Sequence, residues 1–269
     1  MTVDTPSGAL QTHLKAHHAP RTRSPWIVPV LEARSGSAPT RFAALLSRRH
    51  PVTVFLAAIV SGLALVAALS IGLGLLVTKV LVPAWGIGAA DERVEVWLAA
   101  HRTASRGDAS LIGSIIAGGV VLPIIAVVVA LAFIALRHWR LAAFTILALG
   151  VESGSYRITT LVVHRNRPSV VRLEHLPVNA SYPSGHTAAS IAVYAGLVLL
   201  LTSKFRNTVV RIFAWTIAVA LPVFVAWSRM YRGMHHPLDV AGGVVIGVAA
   251  VIVLVFACRA ADAAATASR

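Results

Sequence analysis

Charge is scarce in this sequence. Only 13% of its 269 residues are charged while 57% are hydrophobic, against roughly 25% charged in an average soluble domain. That balance excludes a soluble enzyme. There is a single cysteine, Cys258, so no internal disulfide can staple the fold, and its place near the end of an apolar run marks it as an inert core thiol. Acidic residues are few as well, 10 against 24 Lys and Arg, which leaves a net charge of +14. A nucleic-acid binder carries such an excess, but here the basic residues are spread along the chain and flank apolar runs, where they orient a membrane protein. No nucleic-acid partner is expected, and the oligomeric state is not legible. No Asp/Glu/His cluster has metal-ligand spacing, no cofactor is expected, and no internal repeat is evident.

What is present in quantity is apolar sequence. Six runs stand out: Val52 to Thr78, Ala109 to Leu136, Leu141 to Val163, His186 to Ser203, Ile212 to Ser228 and Pro237 to Cys258. In lipid only helices and closed barrels satisfy their backbone, and runs this long and continuous are not tilted strands. The expected fold is therefore all-α, a polytopic bundle of six transmembrane helices over residues 51–258. Residues 1–50, rich in Arg, His, Pro, Ser and Thr, read as a basic and mostly disordered tail, whose one apolar patch at Trp26 to Leu31 is too small for a core. With some fifty polar residues ahead of the first long run, a cleavable signal peptide is not expected. Within that tail, the i, i+3, i+4 spacing of Phe42, Leu45 and Leu46 suits a short helix on an anionic inner leaflet or a solvated positive flank. Residues 259–269 read as a second short tail.

Orientation follows from the loops. If the N-terminus is cytoplasmic, the inner segments hold fourteen basic residues, from Lys15 through Arg137 and Arg211 to Arg269, and the outer segments hold nine. This asymmetry predicts a multi-pass cell-membrane protein with both termini cytoplasmic. The polar stretches Arg165 to Gly185 and Arg229 to His236 then share the extracytoplasmic face.

Those two stretches carry the chemistry. Ser184, Gly185 and His186 stand at the start of the fourth helix, where backbone N–H groups and the positive helix end favour an anion. Arg167 and Arg229 supply planar forks that match phosphoryl oxygens. His235 and Asp239 are one helical turn apart, so a carboxylate there can fix the imidazole tautomer and leave the other nitrogen free to attack. Pro237 suits the first turn of the helix that Asp239 begins.

In these residues the sequence resembles the type 2 phosphatidic acid phosphatase superfamily, whose motifs are commonly Lys-x6-Arg-Pro, Pro-Ser-Gly-His and Ser-Arg-x5-His-x3-Asp. The second is complete at Pro183 to His186 and the third at Ser228, Arg229, His235 and Asp239. The first keeps Arg167-Pro168 but has Thr160 at the lysine position. The resemblance implies that His235 attacks phosphorus to give a phosphohistidine, that Asp239 holds its far nitrogen, and that His186 protonates the leaving oxygen and then activates water. It implies further that Arg167, Ser184, Gly185 and Arg229 bind the phosphoryl oxygens and that no metal is needed.

For the lost lysine, Arg157 and Arg165 are the candidate substitutes, Arg165 being favoured because a loop arginine can swing toward a phosphate. His236 is expected to face solvent. Glu152 and Arg157 are charges inside the third helix, expected to face the bundle interior or a wet cavity. The implied partner is a membrane lipid phosphate: phosphatidic acid, phosphatidylglycerol phosphate or a polyprenyl diphosphate. Lipid phosphotransfer through the same phosphohistidine is the alternative enzyme. A scaffold or lipid carrier with a relic site is the alternative outside catalysis. A vanadate-dependent haloperoxidase shares much of the constellation but is a soluble helical protein.

Overall fold

A computed structural model describes residues 28–46, 49–84, 86–175, 178, 180–203 and 205–267. Among them there is no β-strand, only an isolated bridge that pairs Arg165 with Ala180. The helices, in chain order, are α1 (Ala38–Leu45), α2 (Pro51–Ala84), α3 (Ile87–Ala100), α4 (Ala104–Ile116), α5 (Val121–Ala135), α6 (Trp139–Val162), α7 (Gly185–Thr202), α8 (Thr208–Tyr231) and α9 (Pro237–Ala267). Of these, α2, α7, α8 and α9 are long and apolar enough to cross a membrane, and α4 with α5, bent by 45° at their junction, brings the number to five if the bent pair counts as one span.

The all-helical expectation holds, and the count of six spans does not follow from length and composition. The predicted run Ala109 to Leu136 is broken where Gly118 and Gly119 stand together, the residue type that costs an α-helix most after proline. The predicted run Leu141 to Val163 does form a helix, α6, but Glu152, Arg157 and several hydroxyl side chains leave it outside the apolar set.

Chain ends also depart from the reading as tails. The expectation of disorder before residue 28 lies outside the described residues. Val28 and Leu31 are buried with Leu141, Ala142, Leu254 and Cys258, so the patch that looked too small for a core completes one formed by α6 and α9. The short helix expected near Arg41 is α1, whose Ala43 packs against Val54 and Ala260. Nor does α9 stop at Cys258. It runs to Ala267 because its charges find partners: Arg259 Nε donates to the Val30 carbonyl, and Asp262 accepts from the Ala33 N–H and pairs with Arg140.

Small residues on α9 set how closely the helices approach. A Cβ at Gly243 would lie 2.5 Å from the Ser184 carbonyl oxygen, and one at Gly247 2.6 Å from that of Ala188. α9 and α7 therefore meet backbone to backbone at their N-terminal ends, as small residues allow in membrane bundles. Tyr182, fully buried, fills the space between Gly74 of α2 and Gly242 of α9. Large apolar side chains on α2, α5 and α8, Leu65, Val128 and Phe213 among them, form the outer surface.

Candidate active site

The starts of α7 and α9, the end of α8 and the described residues of the stretches 163–175 and 180–184 converge at one end of the bundle. A cavity of about 320 Å³ opens there, lined by His186, His235, Arg167 and Gly185 together with Tyr156 and Arg157 of α6. Ala117, Leu122, Pro123 and Leu149 supply an apolar wall. Residues read from three separated stretches of sequence thus face one space.

His235 precedes α9 and is buried, with its Nδ1 2.7 Å from the Ser181 carbonyl oxygen. A carbonyl only accepts, so Nδ1 carries the proton and Nε2 is left with its lone pair. Burial, reinforced by Arg167 and Arg229, holds this imidazole well below its usual pKa and therefore neutral. The spacing argument assigned the tautomer to Asp239, and the geometry corrects it. Asp239 accepts from Ser181 Oγ at 2.5 Å and from the His236 N–H at 2.8 Å, while Arg165 Nη1 meets its other oxygen at 2.5 Å. A carboxylate in the first turn of a helix is best placed to receive donors from the residues just ahead of it, and it takes His236 rather than His235. Asp239 is linked to His235 by way of Ser181, whose hydroxyl donates to it and whose carbonyl meets the ring.

Two further expectations change. His236 does not face solvent: it is buried, with Nε2 3.0 Å from Glu92 and Nδ1 3.3 Å from Asp239. Arg165, favoured to replace the lysine, does not line the cavity. Its guanidinium spans Asp91 and Asp239, at 2.5 Å from each. Arg157 does line it, exposed and with no side-chain partner among the described residues, and the Thr160 hydroxyl donates to the Arg157 carbonyl.

The residues expected to bind phosphate divide similarly. Arg167 is anchored by the Met234 and Ala180 carbonyls. Ser184 turns its hydroxyl to Thr187 and donates its N–H to the Asp239 carbonyl, so what it offers the site is its place, just ahead of the free N–H groups of the first turn of α7. Gly185 lies with Tyr156 against it, at 3.1 Å from where a Cβ would be. Arg229 is fully buried: Nη1 is held by Ser114 at 2.5 Å and Glu174 at 2.9 Å, whereas Nε and Nη2 have no partner among the described residues. A buried guanidinium with two unmatched donors beside a histidine pair is a ready anion site.

Sequence reasoning missed Glu174, which also meets Arg232 Nε at 2.5 Å. Burial would raise its carboxyl, but Arg229 and the hydrogen bonds from Ser114, Arg229 and Arg232 bring it down to about 2. It missed α3 too, and with it Asp91, Glu92 and Glu95. Glu95 is fully buried, and burial together with Asp239, Asp91 and Glu92 pushes its carboxyl up to about 9. The i, i+4 spacing of Asp91 and Glu95 was the signal available.

Residues 137–261 match the family model described as the PAP2 superfamily. The undecaprenyl-diphosphatase of Sulfolobus acidocaldarius is 40% identical over 75 residues, 28% of this chain and 32% of that protein. Phosphatidylglycerophosphatase B of Bacillus subtilis is 28% identical over 137 residues, 49% of this chain and 64% of the relative. The aligned stretches therefore span less than two thirds of either relative's length. The crystal structure of a transmembrane PAP2 type phosphatidylglycerolphosphate phosphatase from Bacillus subtilis superposes with a TM-score of 0.60 at 21% identity, covering 76% of this chain and 93% of that one. At that identity the likeness is one of fold.

Proposed function

We propose, from the premise that residues 137–261 are a PAP2 superfamily segment, that this protein hydrolyses a phosphomonoester or pyrophosphate on a membrane lipid through a phosphohistidine. The observation that carries the reading is that His235, His186 and Arg167 line one cavity with an apolar wall at the end of a lipid-facing bundle. His235 Nε2 attacks phosphorus as the ester oxygen departs. His186 gives that oxygen a proton, leaving a lipid alcohol or, from a diphosphate, a lipid monophosphate. His186, now neutral, takes a proton from water, whose oxygen attacks the phosphohistidine and releases inorganic phosphate. Arg167, the unmatched edge of Arg229 and the first N–H groups of α7 receive the charge that grows on the equatorial oxygens.

The test is phosphate release by the purified protein in detergent with EDTA, from phosphatidic acid, phosphatidylglycerol phosphate and a polyprenyl diphosphate. Release from at least one substrate is expected. Transfer to an added alcohol without free phosphate favours phosphotransfer, and no turnover of any of them rejects the reading.

Arg157 is read as the cation that stands in for the family lysine. Arg157→Ala is expected to lower turnover by about 10- to 100-fold, with part of the loss restored by Thr160→Lys. Arg165→Ala is expected to lose activity that Thr160→Lys does not restore, since Arg165 serves Asp239. Equal rescue of both variants would contradict the assignment.

With 24 residues, about 36 Å of helix, α6 is long enough to be the sixth span, with Glu152 buried within the bundle. Six crossings with both termini cytoplasmic place the site on the extracytoplasmic face, as the basic asymmetry of the loops favours. Cys258 is buried, so one introduced cysteine can be read alone. In intact cells a cysteine at position 175 is expected to react with a membrane-impermeant reagent, and one at 207 to be protected. The opposite pattern inverts the topology.

A further inference from the structure

We propose that Asp91 is a positioning residue for the nucleophile, acting through Arg165 and Asp239; the inference rests on His235 being that nucleophile. Asp91 sits on α3, outside every motif and outside the segment matched by the family model. From it an unbroken series of polar contacts reaches the imidazole. Asp91 Oδ2 accepts from Arg165 Nη2 at 2.5 Å, Arg165 Nη1 donates to Asp239 Oδ1 at 2.5 Å, Asp239 Oδ2 accepts from Ser181 Oγ at 2.5 Å, and the Ser181 carbonyl meets His235 Nδ1 at 2.7 Å. The other Asp91 oxygen accepts from the Leu238 N–H at 3.1 Å, so the same carboxylate fastens the first turn of the helix that carries Asp239.

Charge explains why a single pair would not suffice. Asp239 is fully buried, and the Arg165 side chain is nearly so. A buried guanidinium needs its donors matched on both edges, and Arg165 reaches that state only with a carboxylate on either side. With Asp91 neutralised, Arg165 would hold Asp239 alone, with one edge unsatisfied and the start of α9 released, and Asp239 would be drawn from Ser181. The carbonyl that sets the His235 tautomer belongs to that same serine. Glu92, on the same helix, ties down His236 at 3.0 Å and the Ser169 N–H at 2.9 Å, which fixes α3 against both active-site segments.

The test uses the full chain in detergent. Asp91→Asn is expected to lower kcat by about 30- to 100-fold with KM within about threefold, and Asp91→Glu to recover part of the loss. Inhibition by vanadate should move less than about threefold, because the phosphoryl-binding groups are untouched. In an Arg165→Gln background, Asp91→Asn should cost less than about threefold, since residues that act as a unit do not add. A kcat within threefold of wild type in Asp91→Asn, or losses that multiply in the double variant, overturns the proposal. Should Asp91→Asn not fold, Arg165→Gln is read in its place: a fall in kcat with KM kept supports positioning, and a rise in KM with kcat kept makes Arg165 a substrate ligand and overturns it. His235→Ala in the same preparation separates the two claims. Inactive His235→Ala beside fully active Asp91→Asn removes Asp91 alone, whereas active His235→Ala removes the nucleophile assignment itself.

Discussion

His235→Ala is expected to abolish phosphate release, a loss of at least about 10⁴-fold, or roughly 5.5 kcal/mol of barrier. Alanine leaves no nitrogen to bond phosphorus, so the acid-labile phosphoenzyme that quenched reactions of the wild type should show is expected to vanish with turnover. The fold should survive, because the His235 ring is held by a single main-chain acceptor. In the wild type, protonation of His235 removes the nucleophile as pH falls. Burial, with Arg167 and Arg229, places that protonation well below the ordinary value of about 6.5. The acid limb of kcat/KM is therefore expected below pH 6.5, and it is expected to move toward the ordinary value in Arg167→Ala, where one of the depressing charges is gone. A phosphoenzyme that persists in His235→Ala, or an acid limb above the ordinary value, would reject the assignment.

Gly243→Val is expected to cost more than 100-fold in turnover although residue 243 touches no substrate, since displacing reacting groups by about 1 Å costs on that order. Its first new atom would meet the Ser184 carbonyl oxygen at 2.5 Å, and main chain cannot swing aside as a side chain can. Relief requires α7 to back away from α9, carrying Gly185 and His186 away from His235. Gly72→Ala is the control, because a Cβ there has nothing within 4 Å. Kinetics of both variants, with size-exclusion profiles to show that each remains folded, check the expectation; equal activity in both would mean that the α7–α9 approach does not set the site.

Much of this architecture was legible because lipid imposes a simple grammar. Five of the six apolar runs became continuous helix and the remaining one two helices parted at Gly118 and Gly119, and the basic residues at their flanks needed no tertiary information. The run Pro183 to His186 at a helix end was legible for the same reason, whereas the one-turn spacing of His235 and Asp239 pointed to a pair that the fold does not make, since Asp239 takes His236. What escaped were contacts that cross the chain. Asp91 and Arg165 meet over 74 residues, and neither has a pattern that announces the other. Glu174 lies in an irregular stretch where no periodicity applies. The tautomer of His235 escaped because it is fixed by a main-chain oxygen of Ser181, and every residue carries one. Arg165 was preferred over Arg157 on mobility, which misjudged a guanidinium already committed to two carboxylates.

The clasp at the far end of α9 bears on how the molecule is made. Ala33 and Asp262 join residues 229 positions apart, and Arg140 and Arg259 tie the same N-terminal stretch through the Leu31 and Val30 carbonyls. During synthesis the early segment must wait until nearly every described helix has entered the bilayer before it can be fastened. Asp239 lies on that same late helix, so an incompletely translated chain holds neither the fastening nor the support beneath His235. Closure at one end of the bundle and assembly of the site at the other become a single late event, and a nascent or truncated chain that ends before α9 is expected to lack the proposed activity.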